Sequence, residues 1–389
     1  MHLIAKMAGL AFFLLFSFKA YSVDMNVPAV KLKSDEAPLF KDDLELKGIE
    51  LAFKRQKAAF RRSRLSGSLT IAGRTYKLSI IEKTVKSFEK EVEKVKKCFI
   101  RNSKEECWER FNYNLKRKFD FYRPIVKQES GRSPSLAPTE KNFAHFTGYY
   151  SPTIKGSLVK TEEFPFAIYT KPKTEKERRY TREQIIFENK LEGKGLNLFY
   201  IKDLFALYLL HLEGGGRVEI QTPNGPKMHY LSYQAHNSNK FTFLSKYMRK
   251  KGMIDDSSID SQRRYLAAHP ERWREIYSFC PGYIYFTITK TEPLGLEDIP
   301  LTQRRSLAQD RKIYKRKGML AFVRTLRPIR NEEGDPVMTS YSRFYLDQDT
   351  GSAIKGEARA DLYWGYGDEA ELAANTMNER GEIFFLLAK

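Results

Sequence analysis

The sequence predicts a mainly β protein made of small barrels, with peripheral helices concentrated in its first third. Two observations predict it. From Phe143 to Phe286 short aromatic-rich runs alternate with Gly, Asn and Pro turns, and from about residue 295 to 389 the same texture returns with glycine punctuation. Many short strands of this kind form small barrels. Between Asp43 and Lys118, by contrast, apolar residues recur every three or four positions among lysines, which is helix periodicity.

Taken in order, the chain opens with a basic start (Met1–Lys6), an apolar stretch (Met7–Phe18) and Lys19-Ala20-Tyr21-Ser22, the three parts of a secretory signal. The alternatives are a short anchor or a buried helix. Twelve apolar residues at ~1.5 Å each fall short of ~30 Å of hydrocarbon, so the expectation is a signal over residues 1–22, cleaved after Ser22. The mature protein is then periplasmic or otherwise extracytoplasmic, without an integral membrane span. No Cys lies near the site to carry a lipid.

Residues 23–42 are polar, hold Pro28 and Pro38, and read as a tether. Ile49, Phe53 and Phe60 then mark a helix starting from Asp43. Leu69–Leu78 reads as strand, glycine turn and strand. Lysine-rich helices follow over 84–118, with Phe88, Val92, Val95, Phe99, Trp108, Phe111 and Leu115 as the apolar stripe and the lysines as a solvated face. Cys98 and Cys107 either close a local disulfide in an oxidising compartment or lie as two thiols on one helix, and Cys280 is left over. Residues 128–142 form a Gly/Ser/Pro loop. Within the strand-rich part, helices are predicted near Lys202–Leu212 and Thr242–Lys251.

Composition narrows the class. With 27 Phe, 22 Tyr and 3 Trp the chain holds too many aromatics to be disordered. The six His and three Cys show no zinc-type spacing, so no metal and no cofactor is expected. The net charge of +20 suits an anionic partner. A nucleic acid ranks lowest, since no RNA- or DNA-binding motif accompanies the charge. Residues 343–389 run against the trend, with nine acidic side chains to five basic, and carboxylate chemistry is expected there.

Three stretches can carry chemistry. Asp349–Gly367 places Asp349 and Asp361 around a glycine-rich turn, where neighbouring carboxylates resist joint ionisation and one becomes an acid near neutrality. An Asp in such a turn also makes ordinary Asx-turns. Phe146-Thr147-Gly148-Tyr149-Tyr150-Ser151-Pro152 can make a stacking platform for a sugar, or simply a strand stopped by proline. Glu213-Gly214-Gly215-Gly216-Arg217 can turn backbone N–H groups toward an oxygen ligand, although no phosphate-loop pattern accompanies it.

Together with Phe164–Tyr169, Tyr233 to Asn237, Ile299–Asp310 and Gly381–Leu387, these stretches occur in an order that resembles the membrane-bound lytic murein transglycosylase A family over residues 143–389. The resemblance implies a double-psi β-barrel from residues 43–150 and 295–389, a smaller β-barrel inserted over 151–294, and a groove between them. It implies that Asp361 is a single catalytic acid and that Asp349 supports it by orienting it and holding its proton affinity up. It implies that Thr147, Gly148, Tyr149, Lys355, Gly356, Asp310, Gly214 and Gly216 contact substrate. It places Glu213 where the family usually has Gln, Gly215 where it often has Ser, and Asn375, read as a left-handed position, where Gly is usual. The implied partner is the peptidoglycan glycan strand, cleaved between N-acetylmuramic acid and N-acetylglucosamine. The rivals are a non-catalytic wall-binding protein and a hydrolytic muramidase using Asp349 or Glu357 as second carboxylate.

Overall fold

A computed structural model describes residues 22–125 and 143–389. The signal expected over residues 1–22 (Ser22 excepted) and the loop expected over 128–142 lie outside the described residues.

Six strands close on themselves in the order Ser306–Gln309, Pro336–Asp349, Leu320–Arg330, Asn378–Ala388, Ala144–Tyr149 and Arg359–Tyr363. Two pairings are parallel: Ser306–Gln309 with Pro336–Asp349, and Arg359–Tyr363 with Ala144–Tyr149. This closed barrel is the double-psi element that the resemblance implies. Its strands carry continuous apolar runs, such as Leu320–Val323 and Ile383–Leu387. Such runs form where a strand is covered on both faces, one by the barrel interior and one by another layer.

That other layer is the N-terminal third. Helices Ile49–Arg62, Ile80–Cys98 and Lys104–Lys118 lay their apolar stripes on the barrel in one shared core. Phe88 packs tilted against Phe344 with ring centres 4.6 Å apart, and Phe40 sits 4.9 Å from Phe322 and 5.0 Å from Phe121. The two cysteines lie on different helices and are joined: the Cys98–Cys107 disulfide spans 5.6 Å between Cα atoms and ties the end of one helix to the first turn of the next. Cys280 is free and buried.

The tether over 23–42 is a correction. Val23–Val27 pairs in parallel with Gly67–Ile71, and Ala29–Leu32 pairs with Phe119–Pro124 at the side of the barrel. Met25, Val27, Ala29 and Leu32 are all buried. Alternate positions carry the apolar surface, so the average polarity of the stretch hides a strand pattern. Asp42 is buried and ion-paired with buried Arg305, at 2.6 and 2.9 Å from its two carboxylate oxygens. It also accepts from the amides of Leu44, Leu46 and Phe344. The helix expected from Asp43 begins only at Ile49, because Glu45, Leu46 and Gly48 adopt left-handed backbone around that carboxylate.

A second six-stranded sheet follows the order Ile284–Thr289, Gly225–His236, Gly215–Thr222, Thr153–Ser157, Asn197–Ile201, Phe166–Tyr169 and curls into a nearly closed barrel. The helices expected near 202–212 and 242–251 are Leu204–Glu213 and Leu244–Lys250. Among the described residues five further α-helices interrupt the strand-rich part: Glu175–Arg178, Arg182–Ile186, Ile259–Ala268, Trp273–Ser278 and Asp368–Thr376. Three carry cap signals, Thr174 with the Glu177 amide, Thr181 with Gln184 and Ser258 with the Ser261 amide. Asn375 lies inside the helix Asp368–Thr376, not at a left-handed position.

Candidate active site

Register puts the site together. Across four neighbouring strands Asp349 pairs with Ala308, Ala308 with Asp361, and Asp361 with Thr147. Residues opposed in this way share a face, so two carboxyls and a hydroxyl stand in one row. The small buried Ala308 between them leaves the two aspartates apart, at about two strand spacings of ~4.8 Å. Thr147 and Tyr149 alternate onto this face, and Gly148 faces the other way. A Cβ at Gly148 would meet the Ala373 carbonyl at 2.8 Å and the Trp364 ring at 3.0 Å.

Thr147 Oγ1 donates to Asp361 Oδ1 at 2.6 Å, and Tyr149 Oη donates to Asp349 Oδ2 at 2.8 Å. Each aspartate therefore has its own partner on the same strand. The hydrogen bond on Asp361 comes from Thr147, while Asp349, expected to orient the acid, is bonded to Tyr149. Burial pushes Asp361 above the usual carboxylate range, against the pull of the Arg359 guanidinium, the Thr147 hydroxyl and the Leu362 amide. Asp349 is pushed up to about 6 by burial, and the charge of Asp361 adds to that rise while Tyr149 opposes it.

Two residues not singled out for this row stand at it. Arg359 Nη2 donates to Thr147 Oγ1 at 2.6 Å. Glu213, at the end of the helix Leu204–Glu213, accepts from the Tyr150 amide at 3.3 Å and is pushed up to about 8 by burial and by the charge of Asp361. Arg359 was visible only as the basic residue two before the acid, and Glu213 only as a departure from Gln.

The other expected substrate contacts divide. Asp310 is buried and accepts from the amides of Lys312 and Gly356 at 2.9 and 3.0 Å. It holds the loop ahead of the acid through these two amides. Lys355 on that loop is exposed, and Gly356 follows it in left-handed backbone. The triple glycine does not gather its N–H groups on a ligand: Gly214 ends the helix in left-handed backbone, and Gly215 and Gly216 are buried in a strand paired with Ser232 and Leu231. A Cβ on Gly216 would meet Leu210 at 2.6 Å and the Pro152 carbonyl at 2.9 Å, so packing between helix and interbarrel crossing sets that position.

That crossing is firmly held. Ser151 donates its amide to the Gly365 carbonyl at 2.6 Å and shares a 2.6 Å hydroxyl contact with Tyr363, and Arg217 of the insert lies 3.6 Å over the Tyr366 ring of the closed barrel. A cleft of about 400 Å³ opens between the barrels, lined by Tyr150 and Glu371 on one side and Asp203, Leu209 and Arg263 on the other. Asp361 is not in this lining. The link between them is Tyr150, which lines the cleft and bonds Glu213.

A closed barrel interrupted by a second one, with three aspartates on the closed barrel, defines a two-barrel protein of the three-aspartate type. Residues 145–287 match the family described as the MltA-specific insert domain, and residues 305–387 match the 3D domain. The chain belongs to the membrane-bound lytic murein transglycosylase A family. It is 28% identical over 246 residues to membrane-bound lytic murein transglycosylase A of Vibrio cholerae, a match covering 62% of this chain and 64% of that protein. Against the Escherichia coli K12 protein of the same name the identity is 28%, covering 62% and 65%. The fold superposes on the crystal structure of E. coli MltA with bound chitohexaose at a TM-score of 0.67 and 19% identity, over 93% of this chain and 94% of that one. The sequence matches thus span somewhat under two thirds of the curated relatives' length. Among the described residues no helix is long and apolar enough to cross a membrane.

Proposed function

We propose that this protein is a peptidoglycan lytic transglycosylase, an exported enzyme that cleaves the β-1,4 bond between N-acetylmuramic acid and N-acetylglucosamine. The observation that carries the reading is the Asp361 carboxyl, raised in proton affinity by burial and held at one oxygen by Thr147. The names of the relatives, and the chitohexaose bound by the E. coli protein, point to the same substrate class.

In the proposed reaction Asp361 gives its proton to the glycosidic oxygen as the bond from that oxygen to the muramic C1 breaks. The oxygen of the same muramic residue's C6 hydroxyl bonds to C1, and its proton passes to the Asp361 carboxylate. The acid is regenerated, no water is consumed, and the product ends in a 1,6-anhydro ring. An internal nucleophile removes the need for a second catalytic carboxylate, which ordinary glycosidases place ~5–5.5 Å or ~6.5–9.5 Å from the first. Asp349, paired with Tyr149 and separated by Ala308, then supplies negative charge and does not transfer a proton.

Incubation with purified sacculi tests this. The wild-type protein is expected to release soluble anhydro-muropeptides, and Asp361→Asn to fold normally while losing about 10²–10⁴ in turnover. Products heavier by one water would show a muramidase, and binding without any release would show a wall-binding protein. Anhydro products from folded Asp361→Asn at the wild-type rate would remove Asp361 from its role.

A further inference from the structure

We propose that Arg359 is a positioning residue for the acid: by donating to Thr147 it fixes the direction of the Thr147–Asp361 hydrogen bond and so places the transferable proton of Asp361 on Oδ2. The inference rests on the transglycosylase reading and adds to it which carboxyl oxygen does the work.

The argument is one of donors and acceptors. A guanidinium has five N–H donors and no acceptor. Arg359 Nη2 lies 2.6 Å from Thr147 Oγ1, so at that contact the hydroxyl accepts. The single hydroxyl hydrogen of Thr147 is then free for its other partner, Asp361 Oδ1, also at 2.6 Å. Oδ1 is thereby an acceptor, and a proton on the same carboxyl belongs on Oδ2. Without the guanidinium the threonine hydroxyl could rotate and accept from a protonated Oδ1 instead, leaving the acid's proton turned into the protein.

The rest of the arrangement holds Arg359 to this task. Its Nη1 donates to the Ala360 carbonyl at 2.5 Å and is 3.4 Å from the carbonyl of His145, which pairs with Arg359 across the parallel strands. The side chain is thus pinned along the two strands whose next pair in phase is Asp361 with Thr147. Its charge also acts on the acid directly, opposing the effect of burial. The other ionisable groups facing Asp361 are Asp349 and Tyr149 on the row and Glu213 from the insert. Arg359 is the cation that counts against them.

The test compares Arg359→Met, Arg359→Lys, Thr147→Val and Thr147→Ser in the full chain. Two readouts are needed: turnover of sacculi against pH, and NMR titration of the Asp361 carboxyl carbon, which needs no substrate. Arg359→Met and Thr147→Val are each expected to raise the Asp361 midpoint by about one pH unit or more. They are expected to move the alkaline limb of kcat the same way, and to lower kcat at least tenfold with KM within about twofold. Thr147→Ser and Arg359→Lys are expected to leave the midpoint and limb at their wild-type positions. If Arg359→Met does not fold, the Thr147→Val and Thr147→Ser pair decides the question. An unmoved Asp361 midpoint in folded Thr147→Val or Arg359→Met overturns the proposal, as does a loss confined to KM. If wild-type protein releases no anhydro products, the transglycosylase reading fails instead, and the carboxyl titration still reports whether the relay exists.

Discussion

The residue that most distinguishes this site is Glu213. A carboxyl at the end of a helix, facing Asp361, is pushed up to about 8 by burial and by the charge of Asp361, so it keeps its proton far above the ordinary carboxylate range, where it has an amide-like O–H donor. That explains how Glu can occupy the place where the family resemblance puts Gln. The stability consequence has a definite sign. Between its ordinary value of 4.5 and about 8 the folded chain keeps the Glu213 proton and the unfolded chain does not, so stability falls as pH rises through this window. Glu213→Gln removes the titration. The variant is therefore expected to gain in Tm on the wild type from about pH 4.5 to about 8, with a constant gap above. Thermal melts of both proteins across that range check it, and a flat difference would show that Glu213 ionises freely.

The elements that carry the site depend on a segment with no chemistry of its own. Residues 40–43 run beside the strand Pro336–Asp349, where Asp42 meets Arg305 and Asp43 meets Arg343. Removing one partner of a fully buried pair strands the other charge, at a cost of about 3–5 kcal/mol. Asp42→Ala is expected to destabilise the protein by that much in urea unfolding, with Arg305 left unpaired one residue before the strand Ser306–Gln309. A loss below about 1 kcal/mol would mean that the segment is the tether its average polarity suggests. This element was misread because polarity was averaged along the chain, whereas the buried residues alternate. The unpredicted helices of the insert are short, and what marks Arg182–Ile186 and Ile259–Ala268 in sequence is a cap and not a long apolar stripe.

At the scale of the whole molecule, charge and substrate belong together. A net charge of +20 on a protein whose 343–389 segment runs net acidic favours a polyanionic wall, because stem peptides and lactyl groups carry carboxylates. Binding to sacculi by the inactive Asp361→Asn variant is expected to weaken steeply between about 0.1 M and about 1 M salt, where the screening length drops from ~10 to ~3 Å. Co-sedimentation checks this, and salt-independent binding would assign adhesion to the cleft contacts instead.

By itself the sequence determined the β architecture and the three N-terminal helices, because strand and helix periodicities are local, while the family resemblance, carried in part by the contiguous Asp349–Gly367 motif, marked Asp310, Asp349 and Asp361 as candidates. It determined the residues of the disulfide but not that they would meet. Only the tertiary structure decided that Thr147 and not Asp349 bonds the acid, that Asp310 and Gly216 are turned to the protein, and that Arg359 and Glu213 stand at Asp361. The physical reason is register. Which side chains share a row depends on how strands more than two hundred residues apart in sequence are paired, Thr147 with Asp361 for one, and barrel closure sets that pairing rather than either strand alone.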